Sequence, residues 1–157
     1  MRIHITYTGG TIGMIDSPNG LIPGADTRGW LFRLLEDAHM DASLFTFTEL
    51  DPLIDSSNAT PDNWQTMVDD LRAHRDDADA FVVLQWHRVR VSYSSAALAY
   101  ALADFGKPVI FTGSQHPLGK IESDATANVT GALNAAMSGR FHGVGLFLDI
   151  TCLRAIV

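Results

Sequence analysis

The sequence is poor in the residues that mark several protein classes. It has one cysteine, six prolines and only 9% aromatic residues in 157 positions, and Lys plus Arg (11) fall short of Asp plus Glu (18). A lone Cys152 cannot close an internal disulfide, and its apolar surroundings make it a packing residue. The deficit of positive charge leaves a net charge of −7, which repels phosphate backbones, so no nucleic-acid partner is expected. No apolar run approaches the roughly 20 residues that span a bilayer, so no membrane partner is expected. The start, Met1-Arg2-Ile3-His4-Ile5-Thr6, lacks the apolar core of a signal peptide, and a cytoplasmic setting follows from that reading. The six histidines (His4, His39, His74, His87, His116 and His142) show no metal-ligand spacing to one another or to Cys152. No metal is expected on that ground.

What is present suits a buried core. Hydrophobic residues make up 46% and charged residues 18%, well away from compositional disorder, and the length fits one domain. Short β-prone runs alternate with longer stretches of helical spacing. Strands are expected at Ile3–Tyr7, Leu44–Glu49, Ala80–Leu84, Pro108–Thr112 and Gly143–Leu148. Helices are expected at about Thr27–Asp37, Pro61–Arg75, Ser94–Phe105 and Asp124–Ser138. Such alternation is the pattern of βαβ units, which predicts an α/β fold: an open parallel sheet with helices on both faces. Two helix starts are well marked. Thr60 precedes a proline at the first helical position, and Ser123-Asp124 opens an Ala-rich stretch with Val129, Leu133 and Met137 on one face.

Open parallel sheets bind ligands at the carboxyl ends of their strands, which directs attention to the loops after Tyr7, Glu49, Leu84 and Thr112. The first loop, Thr8-Gly9-Gly10-Thr11-Ile12-Gly13-Met14, does not fit a dinucleotide fingerprint, because Thr11 stands where a glycine is required. Gly119-Lys120 followed by Ile121 is not a P-loop either. Two readings remain. The glycines form a tight turn and nothing more, or they let a substrate approach Thr11 as a nucleophile, which would need activation by a neighbour. In the second loop, Asp55-Ser56-Ser57 is either a solvated turn before a helix cap or a cradle for a zwitterionic amino acid. The fourth, Thr112-Gly113-Ser114-Gln115-His116-Pro117, reads as a conformationally special turn.

Three segments carry a family resemblance. Tyr7-Thr8-Gly9-Gly10-Thr11-Ile12-Gly13-Met14 resembles the first signature of the bacterial-type L-asparaginases. Asp55-Ser56-Ser57-Asn58-Ala59-Thr60-Pro61-Asp62-Asn63-Trp64 is similar to the substrate-binding segment of the cytoplasmic type I branch. Gly106-Lys107-Pro108-Val109-Ile110-Phe111-Thr112-Gly113-Ser114-Gln115 is a third match, and the similarity is collinear from about Ile3 to Arg154. The resemblance implies a flavodoxin-like amino-terminal asparaginase domain over residues 1–157, without the family's smaller carboxyl-terminal domain. It implies an amidohydrolase that cleaves L-asparagine, or L-glutamine, to the acid and ammonia. Thr11 would attack the side-chain amide carbon to form a β-aspartyl ester that water releases. Asp55, Ser56 and Ser57 would hold the α-amino and α-carboxylate groups. No cofactor is implied, and family members assemble as homo-oligomers.

Two segments depart from the family pattern. Where the family carries His-Gly-Thr-Asp, with its Thr and Asp in the catalytic set, this chain reads Gln85-Trp86-His87-Arg88. Where the family continues Gly-Asn-Arg toward a catalytic lysine, it reads Ala155-Ile156-Val157. One inserted base converts the first family segment to the reading found here and one lost base converts the second, which points to reading-frame slips. The alternative function is accordingly a catalytically impaired amino-acid-binding domain, or a frameshifted remnant of an asparaginase.

Overall fold

The computed structural model describes residues 1–54, 58–86 and 90–155. Five of its strands alternate with four helices. They are β1 (Ile3–Gly10), β4 (Phe45–Glu49), β5 (Ala80–Trp86), β6 (Val109–Thr112) and β7 (Val144–Leu148), with α1 (Thr27–Asp37), α2 (Pro61–Ala73), α3 (Arg90–Ala101) and α4 (Ala125–Met137). The sheet runs β4-β1-β5-β6-β7 in parallel, with β8 (Thr151–Arg154) added antiparallel at the edge. Chain order therefore reverses at β1, flanked by β4 on one side and β5 on the other. The carboxyl ends of β1 and β5 form the switch point of a flavodoxin-like sheet.

Alternation along the buried strands sorts two cores onto the two faces. Ile3, Ile5 and Tyr7 of β1, with Val82 and Leu84 of β5, pack against Leu31 and Leu35 of α1 and Val129 and Leu133 of α4. Phe81 and Val83 of β5, with Val109 and Phe111 of β6, pack against Met67 and Leu71 of α2 and Leu98 of α3. A central strand buried on both faces reads as a nearly continuous apolar run, as Ala80–Leu84 does.

The expected strands and helices all form, with shifted ends. The clearest shift is α3, which starts four residues before Ser94 and stops at Ala101. At α2, the Thr60 hydroxyl accepts from the Asn63 N–H while Asn63 Oδ1 accepts from the Thr60 N–H, a reciprocal cap.

Three strands were not legible in the sequence. β2 (Met14–Ser17) and β3 (Gly20–Pro23) pair as a hairpin across Pro18-Asn19, between the first expected loop and the first expected helix. Ile15, Asp16, Leu21 and Ile22 are all exposed, so no alternation between a buried and an open face announced the strands. Strand β8 returns on β7 through a two-residue turn in which Asp149 takes a φ of +56°, so the expected wholly parallel sheet closes with one antiparallel strand.

Candidate active site

Strand β1 ends in two glycines that carry out a sharp change of direction. Gly9 and Gly10 have φ of 116° and 97°, a region that L side chains rarely adopt. A second constraint acts at Gly9, because a Cβ there would fall 2.7 Å from the Ile54 carbonyl oxygen. The chain then makes one 3-10 turn, Thr11–Gly13, with Thr11 half-buried at its start. The Thr11 hydroxyl makes no hydrogen bond to any described residue.

Neighbouring segments clamp that turn. The Ile12 carbonyl accepts from the Leu118 N–H at 3.2 Å, and the Gly13 carbonyl accepts from the Gly24 and Ala25 N–H groups at 3.1 Å each. A side chain on Gly13 would overlap the Tyr7 hydroxyl. Tyr7 is only 2% exposed, and burial raises its pKa despite the opposing hydrogen bond with Thr27, with the Glu49 charge adding to the rise.

The loop after β4 is drawn against the same glycines. Leu50 donates its N–H to the Tyr7 carbonyl at 3.0 Å, and Ile54 donates to the Thr8 carbonyl at 2.7 Å. The residue before Asp55 is thus fixed beside Gly9. Asp55, Ser56 and Ser57 themselves lie outside the described residues. Strand β5 supplies the other wall, with Gln85 in register with Gly9 and Trp86 with Gly10. Gln85 is fully buried, and both atoms of its amide lack a hydrogen-bond partner among the described residues. His87 and Arg88, which complete the departure from the family pattern, lie outside the described residues.

The loop after β6 is special in the way its sequence suggests, and two residues that sequence reasoning missed make it so. Asp124 does not cap α4. Its carboxylate accepts from the Gln115 N–H at 2.9 Å and the His116 N–H at 3.2 Å, and from Asn128 Nδ2 at 2.9 Å. Asn128, one turn along α4 and 1% exposed, also donates to the Gly113 carbonyl and accepts from the Asp149 N–H, each at 2.9 Å. The signal available was an Asp and an Asn at i and i+4, facing one side of a helix start. Lys120 pairs with Asp16 of β2 and so ties this loop to the hairpin. Lys107 is occupied elsewhere, donating to the Arg75 and Ala78 carbonyls beside the amino end of β6.

Three of the four sequence-selected loops therefore meet around Thr11: Gly9-Gly10, Ile54 and the end of β5. The Leu118 N–H brings in the fourth. Sequence spacing put no histidine near another, yet the fold stacks His4 on His74, with ring centroids 3.8 Å apart, at the opposite end of the sheet.

The sequence profile described as Asparaginase, N-terminal matches residues 2–157. The chain is 40% identical to L-asparaginase 1 of Escherichia coli (strain K12) over 148 residues, which cover 94% of this chain and 44% of that protein. It is 29% identical to the 60 kDa lysophospholipase of Homo sapiens over 161 residues, covering 89% of this chain and 28% of that one. The crystal structure of L-asparaginase I from Vibrio cholerae O1 biovar eltor str. N16961 superposes with a TM-score of 0.84 at 38% identity, over 98% of this chain and 46% of the other. The chain thus spans less than half the length of these relatives.

Proposed function

The chain belongs to the asparaginase family, and from that premise we propose that it carries the nucleophile half of an asparagine amidohydrolase. Thr11 Oγ attacks the side-chain amide carbon of L-asparagine, the amide nitrogen leaves with a proton as ammonia, and water hydrolyses the resulting β-aspartyl ester. Asp55, Ser56 and Ser57 hold the α-amino and α-carboxylate groups and keep the amide over Thr11. The same reading includes no cofactor, a cytoplasmic setting and a homo-oligomer, all drawn from the resemblance to the type I branch.

One observation carries the proposal. Two glycines of positive φ release the chain from a fully buried strand at the switch point, and the next residue is a half-buried threonine whose hydroxyl makes no bond to a described residue. A turn with no task beyond reversing the chain has no need of neighbours that fix the Ile12 and Gly13 carbonyls on both sides. Reaction of a substrate at Thr11 does need that rigidity, since misplacement of reacting atoms by even about 1 Å can cost a hundredfold in rate.

The second reading, an amino-acid-binding domain of impaired catalysis, rests on Gln85. Its amide, without a partner among the described residues, stands at the start of the segment that replaces the family's Thr and Asp. A coupled ammonia assay on the purified chain, with L-asparagine and L-glutamine side by side, separates the two. Ammonia release that drops by several powers of ten in Thr11→Ala, and is partly kept in Thr11→Ser, supports the enzyme. Calorimetric binding of L-asparagine with no ammonia above the Thr11→Ala background supports the binding domain.

A further inference from the structure

Among the described residues, one group of metal-ligating side chains lies away from Thr11, where the last turn of α2 crosses the first half of β1. His4 and Thr6 project from β1 toward α2, while Asp70 and His74 stand one turn apart on the helix and reach back. One donor atom from each of His4, Asp70 and His74 lies within 4.8 Å of the other two. A tetrahedral zinc ion with bonds of about 2.1 Å holds neighbouring donors about 3.4 Å apart. Side-chain motions of about 1 Å would therefore close this set onto an ion.

The surrounding hydrogen bonds prepare the ring nitrogens for that role. His74 Nδ1 lies 2.8 Å from the Asp70 backbone carbonyl. A carbonyl can only accept, so Nδ1 donates there, and since the same nitrogen also lies 3.3 Å from Asp70 Oδ1, Nε2 is the ring nitrogen left for an ion. His4 Nε2 donates to Asp70 Oδ2 at 3.2 Å while Nδ1 accepts from the Thr46 hydroxyl at 2.8 Å; an ion bound at Nε2 would reverse this tautomer, displacing the Nε2 proton and leaving Nδ1 to donate to the Thr46 oxygen. The Thr6 hydroxyl donates to the same Asp70 oxygen at 2.5 Å. Ligating histidines are oriented in this way in metal sites, with the second ring nitrogen donating to a carbonyl or another acceptor.

The two ligands differ in freedom. His4 is 1% exposed and packed edge-on against Phe81, whereas His74 caps α2 with its side chain 34% exposed. An ion must lie near the plane of each imidazole it binds, and the two rings are now nearly parallel, 12° apart. His74 is therefore the ring that turns out of the stack to complete the site, and its exposure provides the path by which an ion enters.

We propose that His4, Asp70 and His74 form a binding site for a zinc-class divalent cation, with water completing the coordination, that fastens α2 to β1 and is separate from the reaction at Thr11. Two imidazoles with one carboxylate select borderline transition ions over Mg2+ or Ca2+, which take oxygen.

The test uses the tag-free chain, stripped with chelator and titrated with Zn2+ in a calorimeter and with Co2+ in a visible spectrometer. The expected result is about one Zn2+ per chain, the intense d–d absorption of tetrahedral Co2+, and a rise in unfolding temperature on adding Zn2+. His74→Ala should weaken Zn2+ binding at least about tenfold and abolish the temperature rise. His142→Ala, on the exposed approach to β7, should change neither. Circular dichroism of the apo variants shows that the fold is kept, and Asp70→Asn provides a second removal of one ligand. Absence of stoichiometric binding overturns the site. So does binding that survives in both His74→Ala and Asp70→Asn, which would place the ion elsewhere.

Discussion

Gly9 and Ile54 pack backbone to backbone. The Ile54 N–H donates to the Thr8 carbonyl at 2.7 Å, and the side chain that Gly9 lacks would begin 2.7 Å from the Ile54 carbonyl oxygen. This contact joins two segments 45 residues apart in sequence and holds Ile54 beside the turn that carries Thr11. Gly9→Ala would add a backbone clash to the strain of a φ of +116°. Strained positions cost about 1–3 kcal/mol each, so the variant should lose at least about 2 kcal/mol in urea unfolding, together with any ammonia release. A variant as stable as the parent would show that the Leu50–Ile54 segment can withdraw from β1.

A similar test applies on the other side of the turn. Asn128, 1% exposed, links the Gly113 carbonyl, the Asp124 carboxylate and the Asp149 N–H. Asn128→Ala leaves buried groups unpaired, each costing about 1–3 kcal/mol. A loss of about 2–4 kcal/mol is expected, measured as a lower urea midpoint at unchanged slope. Asp124→Ala should cost less, because Asp124 is only half-buried and water can replace part of its bonding.

How much of this was legible in the sequence depends on the distance over which each feature is encoded. The apolar run Ala80–Leu84 and the Thr60-Pro61 cap are local, and both appear where the sequence puts them. The turn after β1 was legible from its glycines, because two in succession at a strand end suit the positive φ that L side chains rarely adopt, as Gly9 and Gly10 show. The β2–β3 hairpin was hidden because its side chains point to solvent on both faces and leave no alternation. Asp124 and Asn128 were hidden for a different reason. A capping motif and a loop brace use the same residue types, and only the position of Gln115 in space separates them. The His4–Asp70–His74 cluster joins a strand to a helix 66 residues further on, which no short spacing can report.

Tyr7 carries a prediction about alkaline stability. Burial raises its folded pKa above the unfolded value of about 10. Between those two values the folded chain keeps a proton that the unfolded chain has released. Tyr7 therefore contributes stability that is fully present below pH about 10 and is lost as the pH rises through the folded pKa. The slope of unfolding free energy against pH above 10 should be shallower in Tyr7→Phe than in the parent. Parallel pH profiles for the two chains would mean that the Tyr7 hydroxyl is as well hydrated folded as unfolded.

Gln85 makes the last prediction, and its sign is opposite to that of most core substitutions. A buried amide with neither end paired to a described residue gives up its bonds to water and receives none from those residues, a loss of about 1–3 kcal/mol for each orphaned group. Methionine has nearly the same length and flexibility and no polar atom to desolvate. Gln85→Met should therefore stabilise the chain by about 1–3 kcal/mol, a rise of several degrees in unfolding temperature for a domain of this size. Natural cores rarely tolerate such an orphan, and this one opens the segment where the family pattern breaks. Resequencing the source gene across codons 85–91 bears on the same point: a frame that restores His-Gly-Thr-Asp would account for the misfit, and an intact Gln85-Trp86-His87-Arg88 frame would make the amide a feature of the protein. If Gln85→Met instead lowers stability, the amide has a partner in solution beyond the described residues.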